Sequence, residues 1–429
     1  MMPAPGRGVS PMLPLSYLVT ATAAFVLATL AVPWLASELA GHYYQPRVLA
    51  LTHTVTLGWI TLTIMGASYQ IVPIVLGRPV WSERMARWQL ALTTVGIVCL
   101  VAHFFIGEWS GLVWAAALVT LGVGLHLVNT VLSVRGLAAW TFTAWLVTIA
   151  HAGLALTALS GTLLGLDKIL RVLPGSLFPN LHAHVHLALL GWVLPMVIGV
   201  AARVYPMFLL AREPAGWLGR VQLWGLVLGV PAVALGILAG GLLLAAGALG
   251  VAAAVLAHVA WVYAMVRGSR RPALDWGLRF VLTGALTLVP ATALGLALAL
   301  DLLAGPRVAL AYAALALGGW ASLTIAGMLL KIVPFLVWYR VYGTRAGREP
   351  VPSLPDLGWP AAERLAWVWL TTGFAALATS LWLGEPAWIR GAGVLVAAGG
   401  VTFAATLARV LHHLAPCPRR TAVAPAGIA

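Results

Sequence analysis

Apolar runs of about 20 residues recur along the whole chain, broken by short polar stretches. A helix of that length crosses the hydrocarbon layer of a bilayer. The pattern predicts twelve membrane helices, over 14–37, 46–74, 88–107, 111–134, 138–164, 181–210, 217–240, 243–266, 277–301, 308–339, 362–383 and 391–411. A membrane β-barrel would alternate apolar and polar residues in segments of about 10, a pattern the sequence lacks. The expected fold is an all-α polytopic membrane protein. Two connections read as long: Gly165 to Asn180, and Arg340 to Arg364, the second punctuated by Pro350, Pro352, Pro355 and Pro360. The first span is preceded only by Arg7, with no small-residue cleavage site, and reads as retained rather than as a signal peptide.

Three of the spans are copies of one another. The second holds Gly58-Trp59, Gly66 and Pro73; the sixth, Gly191-Trp192, Gly199 and Pro206; the tenth, Gly319-Trp320, Gly327 and Pro334. The steps from Trp to Gly to Pro are seven and seven in each, and two α-turns place such positions on one helix face. The copies are offset by 133 and 128 residues, four spans each time. Such a repeat implies three pseudo-symmetric four-helix arcs, about 14–135, 138–268 and 277–413, in a single membrane domain over 1–429. Three residues before each proline stands a polar side chain: Gln70, Arg203 and Lys331. Snorkelling to the interface and the lining of a polar cavity both account for them.

Composition narrows the class. Hydrophobic residues make up 62% of the 429 and charged residues 8%, against roughly 25% charged in soluble domains. A cytosolic enzyme, a disulfide scaffold and a disordered chain are excluded, and Cys99 and Cys417 are too few for a framework. The net charge of +14 would suggest nucleic acid in a soluble protein. Here the charges lie between apolar runs, so they report orientation and no nucleic-acid partner is expected. Twelve spans put 18 Lys and Arg on the side of both termini, Arg7, Arg419 and Arg420 among them, and 5 on the other. That asymmetry makes both termini cytoplasmic.

Candidate chemistry rests on the histidines. Five of the eleven gather in the outer part of the membrane: His53, His103, His182, His184 and His186. His53 and His186 occupy the same repeat position, where the third copy has Ala314. Intramembrane histidines are costly and face interior sites, and neutral imidazole is the usual nitrogen ligand of haem iron and copper. His184 and His186, two apart on a helix, point in opposite directions and can serve a site on each side. His182 shares a face with His186, as an entrance or supporting residue or as a polar interface residue. His126 and His258, 132 residues apart, and the mid-span His151 read as structural contacts; His42, His412 and His413 flank spans and read as solvated.

His184-Ala-His186 followed by Leu190-Gly191-Trp192 and Tyr205-Pro206 resembles the haem-ligand helix of the haem-copper oxidase superfamily, subunit I. The nearest likeness is to cbb3-type cytochrome c oxidases and the nitric oxide reductase catalytic subunit. The resemblance implies that His184 faces a high-spin haem and His186 a low-spin haem. His53, Val72-Pro73, Arg78-Pro79-Val80 and His103 resemble the helix pair that holds the family's copper, implying His53 and His103 as metal ligands. The chain departs from the pattern. Phe104 follows His103 where the family has a second histidine, no tyrosine lies between Trp88 and Ile106, and the third arc supplies no histidine ligand. By span order His53 is instead a low-spin haem ligand, and the symmetry offers His53 and His186 as two ligands clamping one haem b. We prefer that clamp to copper.

The resemblance implies one or two haem b groups with or without copper, and a cytochrome c or quinol electron donor. It also implies small partner subunits or a homo-oligomer, and a prokaryotic inner (plasma) membrane. Three functions stand: an oxidoreductase reducing dioxygen or nitric oxide, a non-catalytic bis-histidine haem b electron-transfer or gas-sensing protein, and a cofactor-free transporter. All eleven acidic residues lie in loops or near span ends, which argues against proton pumping.

Overall fold

The computed structural model describes residues 9–137 and 139–415. Arg7, Cys417, Arg419 and Arg420 lie outside the described residues, as does Ala138, the expected start of the fifth span. The described chain is helical, without a β-strand, and twelve helices are long and apolar enough to cross a membrane. We number them α1 (Met12–Ala31), α2 (Pro46–His53, Thr54–Thr61 and Leu62–Leu76 in succession), α3 (Glu83–Ile106), α4 (Leu112–Val134), α5 (Phe142–Leu170) and α6 (Leu177–His186, Leu187–Val193 and Leu194–Leu209). The second half comprises α7 (Gly216–Ala239), α8 (Leu242–Arg267), α9 (Trp276–Ala299), α10 (Pro306–Ala313, Ala314–Ser322 and Leu323–Tyr342), α11 (Pro360–Leu383) and α12 (Pro386–His412).

Local chemistry sets the helix ends. Ser82, Thr141 and Asp275 accept hydrogen bonds from the backbone N–H groups of Met85, Ala144 and Leu278, capping α3, α5 and α9. Gly77, Gly107 and Gly384 stop α2, α3 and α11 in the left-handed conformation. The expected long connection at Gly165–Asn180 is mostly helix. α5 continues to Leu170, carrying Asp167 and Lys168 on its last turn, and the Asp167 carboxylate then accepts from Leu173 N at 2.8 Å to turn the chain.

α2, α6 and α10 each contain a π-helical segment at the same repeat position, Thr54–Thr61, Leu187–Val193 and Ala314–Ser322. Wider i→i+5 turns are uncommon and often mark functional sites. Here they rotate the first turns of each helix relative to the Trp-Gly-Pro face. The repeated glycines are points of close approach. A Cβ on Gly66 would strike Tyr17, one on Gly199 would meet Leu146 Cβ at 2.9 Å, and one on Gly327 would meet Phe280 Cβ at 2.8 Å. Each glycine therefore seats the second helix of an arc on the first.

The arcs close into a ring, with α4 packed on α5, α8 on α9 and α12 on α1. The three tryptophans interlock at its centre. Trp59 Nε1 donates to Ser322 Oγ at 3.0 Å, and Trp192 Nε1 donates to Thr61 Oγ1 at 3.3 Å. Each bond runs to the residue two past the tryptophan of the neighbouring copy. The third copy breaks the cycle: that position is Leu194, and Trp320 donates to no residue among those described. Gln70, Arg203 and Lys331 lie outside the central cavity; Lys331 pairs with Asp275, and Arg203 is exposed.

Candidate functional site

A cavity of about 740 Å³ occupies the histidine-bearing half of the ring, within the usual range for ligand and cofactor sites, roughly 300–1,000 Å³. Its walls are mostly Leu, Val, Ala and Ile. The polar exceptions include His53, His182, His184, His186, Tyr312 and Thr157. Trp192, Trp320 and Leu194 form part of its lining.

Three of the histidines are tied back through Nδ1. His53 Nδ1 lies 2.8 Å from Leu49 O, and His186 Nδ1 lies 2.8 Å from His182 O. A carbonyl only accepts, so each Nδ1 carries the proton and each Nε2 is a bare lone pair. His184 Nδ1 lies 3.0 Å from Ser160 Oγ, whose hydroxyl donates to Thr157 O at 3.1 Å, so His184 Nδ1 is again the donor. Among the described residues none bonds Nε2 of the three. Gly161 makes room for the His184 ring, since a Cβ there would meet its Cε1 at 2.9 Å. Tethered imidazoles with free Nε2 atoms on an apolar cavity are the donor set and setting that haem ligation requires.

His53 and His186, at equivalent repeat positions, have different ring neighbours, Phe104 and Tyr312. His53 and His184 are close enough for the charge of one to act on the other. His186 faces Tyr312, with ring centres 6.1 Å apart and planes at 16°. Tyr312 stands at the repeat position of His184, 128 residues on. His186 therefore faces, in the next copy, the repeat position that His184 holds in its own. The corresponding positions between the third copy and the first are Ala314 and Leu51, both apolar. The place of Tyr312 in the repeat register was readable from sequence; its partnership with His186 was not.

The structure does not bring His103 to the cavity wall. Phe104 takes that face and stacks on His53 at 4.6 Å. Successive helix residues point about 100° apart, which turns His103 away. Its Nδ1 bonds Cys99 O at 2.7 Å, its Nε2 lies 3.8 Å from Glu108 Oε2, and its ring fills the space a side chain on Gly111 would need. Hydrogen bonds from Ser110 and from the Gly111 backbone hold the Glu108 carboxyl down at about 2. Among the described residues no group of three His, Cys, Asp or Glu side chains converges as a metal site.

His182 sits at the mouth, its Nε2 2.9 Å from the Tyr43 hydroxyl. His42, expected to be solvated, packs there against Tyr43 and Phe178 instead, with ring centres 4.2 and 5.7 Å away. The loop before α2 folds over the cavity and carries it inward. Lys168 completes the rim, hydrogen-bonded to Tyr44 and lying 5.0 Å from the centre of the Trp109 ring. His413, also expected to be solvated, bonds the Tyr342 hydroxyl at 2.8 Å.

Residues 4–249 match the model of the family described as Cytochrome C and Quinol oxidase polypeptide I. The match covers more than half the chain and every cavity histidine, and the chain belongs to that family.

Proposed function

We propose that this chain is a haem-binding membrane redox protein whose cofactor occupies the histidine-lined cavity. The observation that carries the reading is the set of three Nε2 lone pairs, on His53, His184 and His186, presented to an apolar cavity by tethered rings. His53 and His184 would hold one haem b, and His186, opposite Tyr312, would hold a second. Haem supplies one-electron chemistry, and gas binding where an axial position stays open. The tethers to Leu49 O, His182 O and Ser160 Oγ fix each ring's tautomer and rotation. The apolar walls exclude water, and Lys168 with the Tyr43–His182 pair receives acidic groups of the cofactor at the mouth. Copper at His53 and His103 draws no support from the geometry, because His103 turns toward Glu108.

A haem held by His186 alone would suit reduction of dioxygen or nitric oxide, with electrons from cytochrome c or a quinol. The Arg-rich loops face the cytoplasm in this reading, and the cavity lies toward the outer surface. The test is a dithionite-reduced minus oxidised spectrum of purified protein, with haem counted as the pyridine haemochrome. His53→Ala and His184→Ala should abolish the six-coordinate signal, and His186→Ala the shift on adding carbon monoxide. A colourless protein refutes the proposal and favours the cofactor-free transporter.

A further inference from the structure

Each cavity imidazole has, besides its tether, a neighbour against one side of its ring. Phe104, buried on α3, stacks on His53 with ring centres 4.6 Å apart and planes at 24°. Tyr312 on α10 lies against His186 with planes at 16°. His184 has the backbone of α5 at Gly161, where a Cβ would meet its Cε1 at 2.9 Å. Phe104 is itself buttressed. Trp109 meets it edge-on, with ring centres 6.0 Å apart and planes at 80°, and Lys168 Nζ lies 5.0 Å from the centre of the Trp109 ring.

The tethers set each ring only to within the tolerance of a hydrogen bond. His53 Nδ1 and His186 Nδ1 each bond a carbonyl four residues earlier on the same helix. A carbonyl accepts over a broad range of directions, and the χ2 torsion of histidine is a broad sp3–sp2 rotor. The bond therefore fixes the tautomer and the edge of the ring that meets the backbone, and it leaves the plane free to rock about Cβ–Cγ. Nε2 lies off that axis, so a rocking plane carries the lone pair with it. A second ring against one face stops the motion. Both separations, 4.6 and 6.1 Å, fall within the roughly 4.5–7 Å that favours paired aromatic rings.

The plane matters to a haem ligand as much as the lone pair does. An imidazole on iron interacts through its π orbital as well as through nitrogen, and that overlap depends on the direction of the ring plane over the macrocycle. Neighbours that orient a ligand tune the metal it holds. We propose that Phe104 and Tyr312 are positioning residues, holding the planes of His53 and His186 for haem coordination, with Trp109 as the buttress of the first. The proposal rests on the haem reading above. If Phe104 only filled the cavity wall, another apolar side chain of about its size would serve as well; a positioning role requires the flat ring.

The test uses the full-length purified protein with its haem and three readouts: haem per chain, electron paramagnetic resonance of the oxidised haem, and the rate of haem transfer to apomyoglobin. Phe104→Leu should keep its haem, shift or broaden the largest g-value of the haem on His53, and speed transfer roughly 2- to 10-fold, the worth of one aromatic pair. Tyr312→Leu should change the signal of the haem on His186 and leave that g-value alone. Phe104→Tyr and Tyr312→Phe, which keep the ring, should match the parent, as should Phe105→Leu, whose ring is exposed. Should Phe104→Leu misfold by circular dichroism, Trp109→Leu at the rim removes the buttress alone and should give the same change at smaller size. Parental g-values and transfer rates in folded, haem-bearing leucine variants overturn the positioning role and leave the haem reading standing. A colourless parent overturns both.

Discussion

Removing the Ser322 hydroxyl tests the central ring of tryptophans. Trp59 is fully buried and Ser322 is 1% exposed, and the bond between them joins the first arc to the third. Ser322→Ala removes a single oxygen and leaves the indole N–H with no acceptor and no water. Stranding a buried donor costs about 1–3 kcal/mol, whereas interhelical hydrogen bonds in membranes average about 0.6 and reach about 1.7 kcal/mol. Complete burial places this bond toward the top of the membrane range, so the expected loss is about 1–2 kcal/mol. Thr61→Val, which strips the acceptor of the longer Trp192 bond, should cost less, about 1 kcal/mol. Leu194→Thr places an acceptor where the cycle is broken. A double-mutant cycle with Trp320→Phe should then reveal a coupling of about 0.6–1.7 kcal/mol that the parent lacks. The assay is reversible unfolding by SDS in mixed micelles. A Ser322→Ala midpoint equal to that of the parent, with no coupling at Leu194, would refute the cyclic interlock.

Other consequences concern packing and pH. Gly66→Ala drives a methyl into Tyr17 and should cost about 1–3 kcal/mol, read in the same micelle titration. Gly124→Ala, on α4 with open space around it, should instead stabilise by about 0.5–1 kcal/mol. Glu108, held at about 2 against an ordinary 4.5, binds its proton less readily folded than unfolded. Its stabilising effect is full above pH 4.5 and fades as the pH falls to about 2. The gap in thermal midpoint between parent and Glu108→Gln should narrow over that window, and a gap independent of pH would show that the carboxylate plays no such part.

The sequence carried the twelve spans, because the bilayer demands a minimum apolar length and the chain meets it twelve times. The repeated glycines it displays have a packing cause, because Gly66, Gly199 and Gly327 are each forced by one helix seating on another. It misled where a polar residue ends a helix without leaving it: Asp167 and Lys168 read as loop yet close α5. Nor did it show the π-helical segments, which arise from the backbone path and carry no residue signature beyond the Gly-Trp that each contains. Those segments separate the rotation of His53 and His186 from that of Trp59 and Trp192, so no helical wheel drawn through both could aim the histidines.

Contacts across an arc boundary join different positions of the repeat, as His186 with Tyr312 and Trp192 with Thr61 show. The first boundary received histidine at both cavity positions and again below, at His126 and His151. The second boundary has His186 with Tyr312 above, and below it His258, which is satisfied by Gln222 of its own arc. The third has Ala314, Leu51 and a hydroxyl-bonded Trp59. Three similar scaffolds thus carry three sets of side chains: imidazoles at the first boundary, an imidazole with a phenol at the second, and apolar packing with the Trp59–Ser322 hydrogen bond at the third. If the scaffold were the determinant, moving histidines should move the chemistry. Leu51→His with Ala314→His should therefore create a third bis-imidazole contact, and its failure to add bound haem would place the determinant in the surrounding cavity wall.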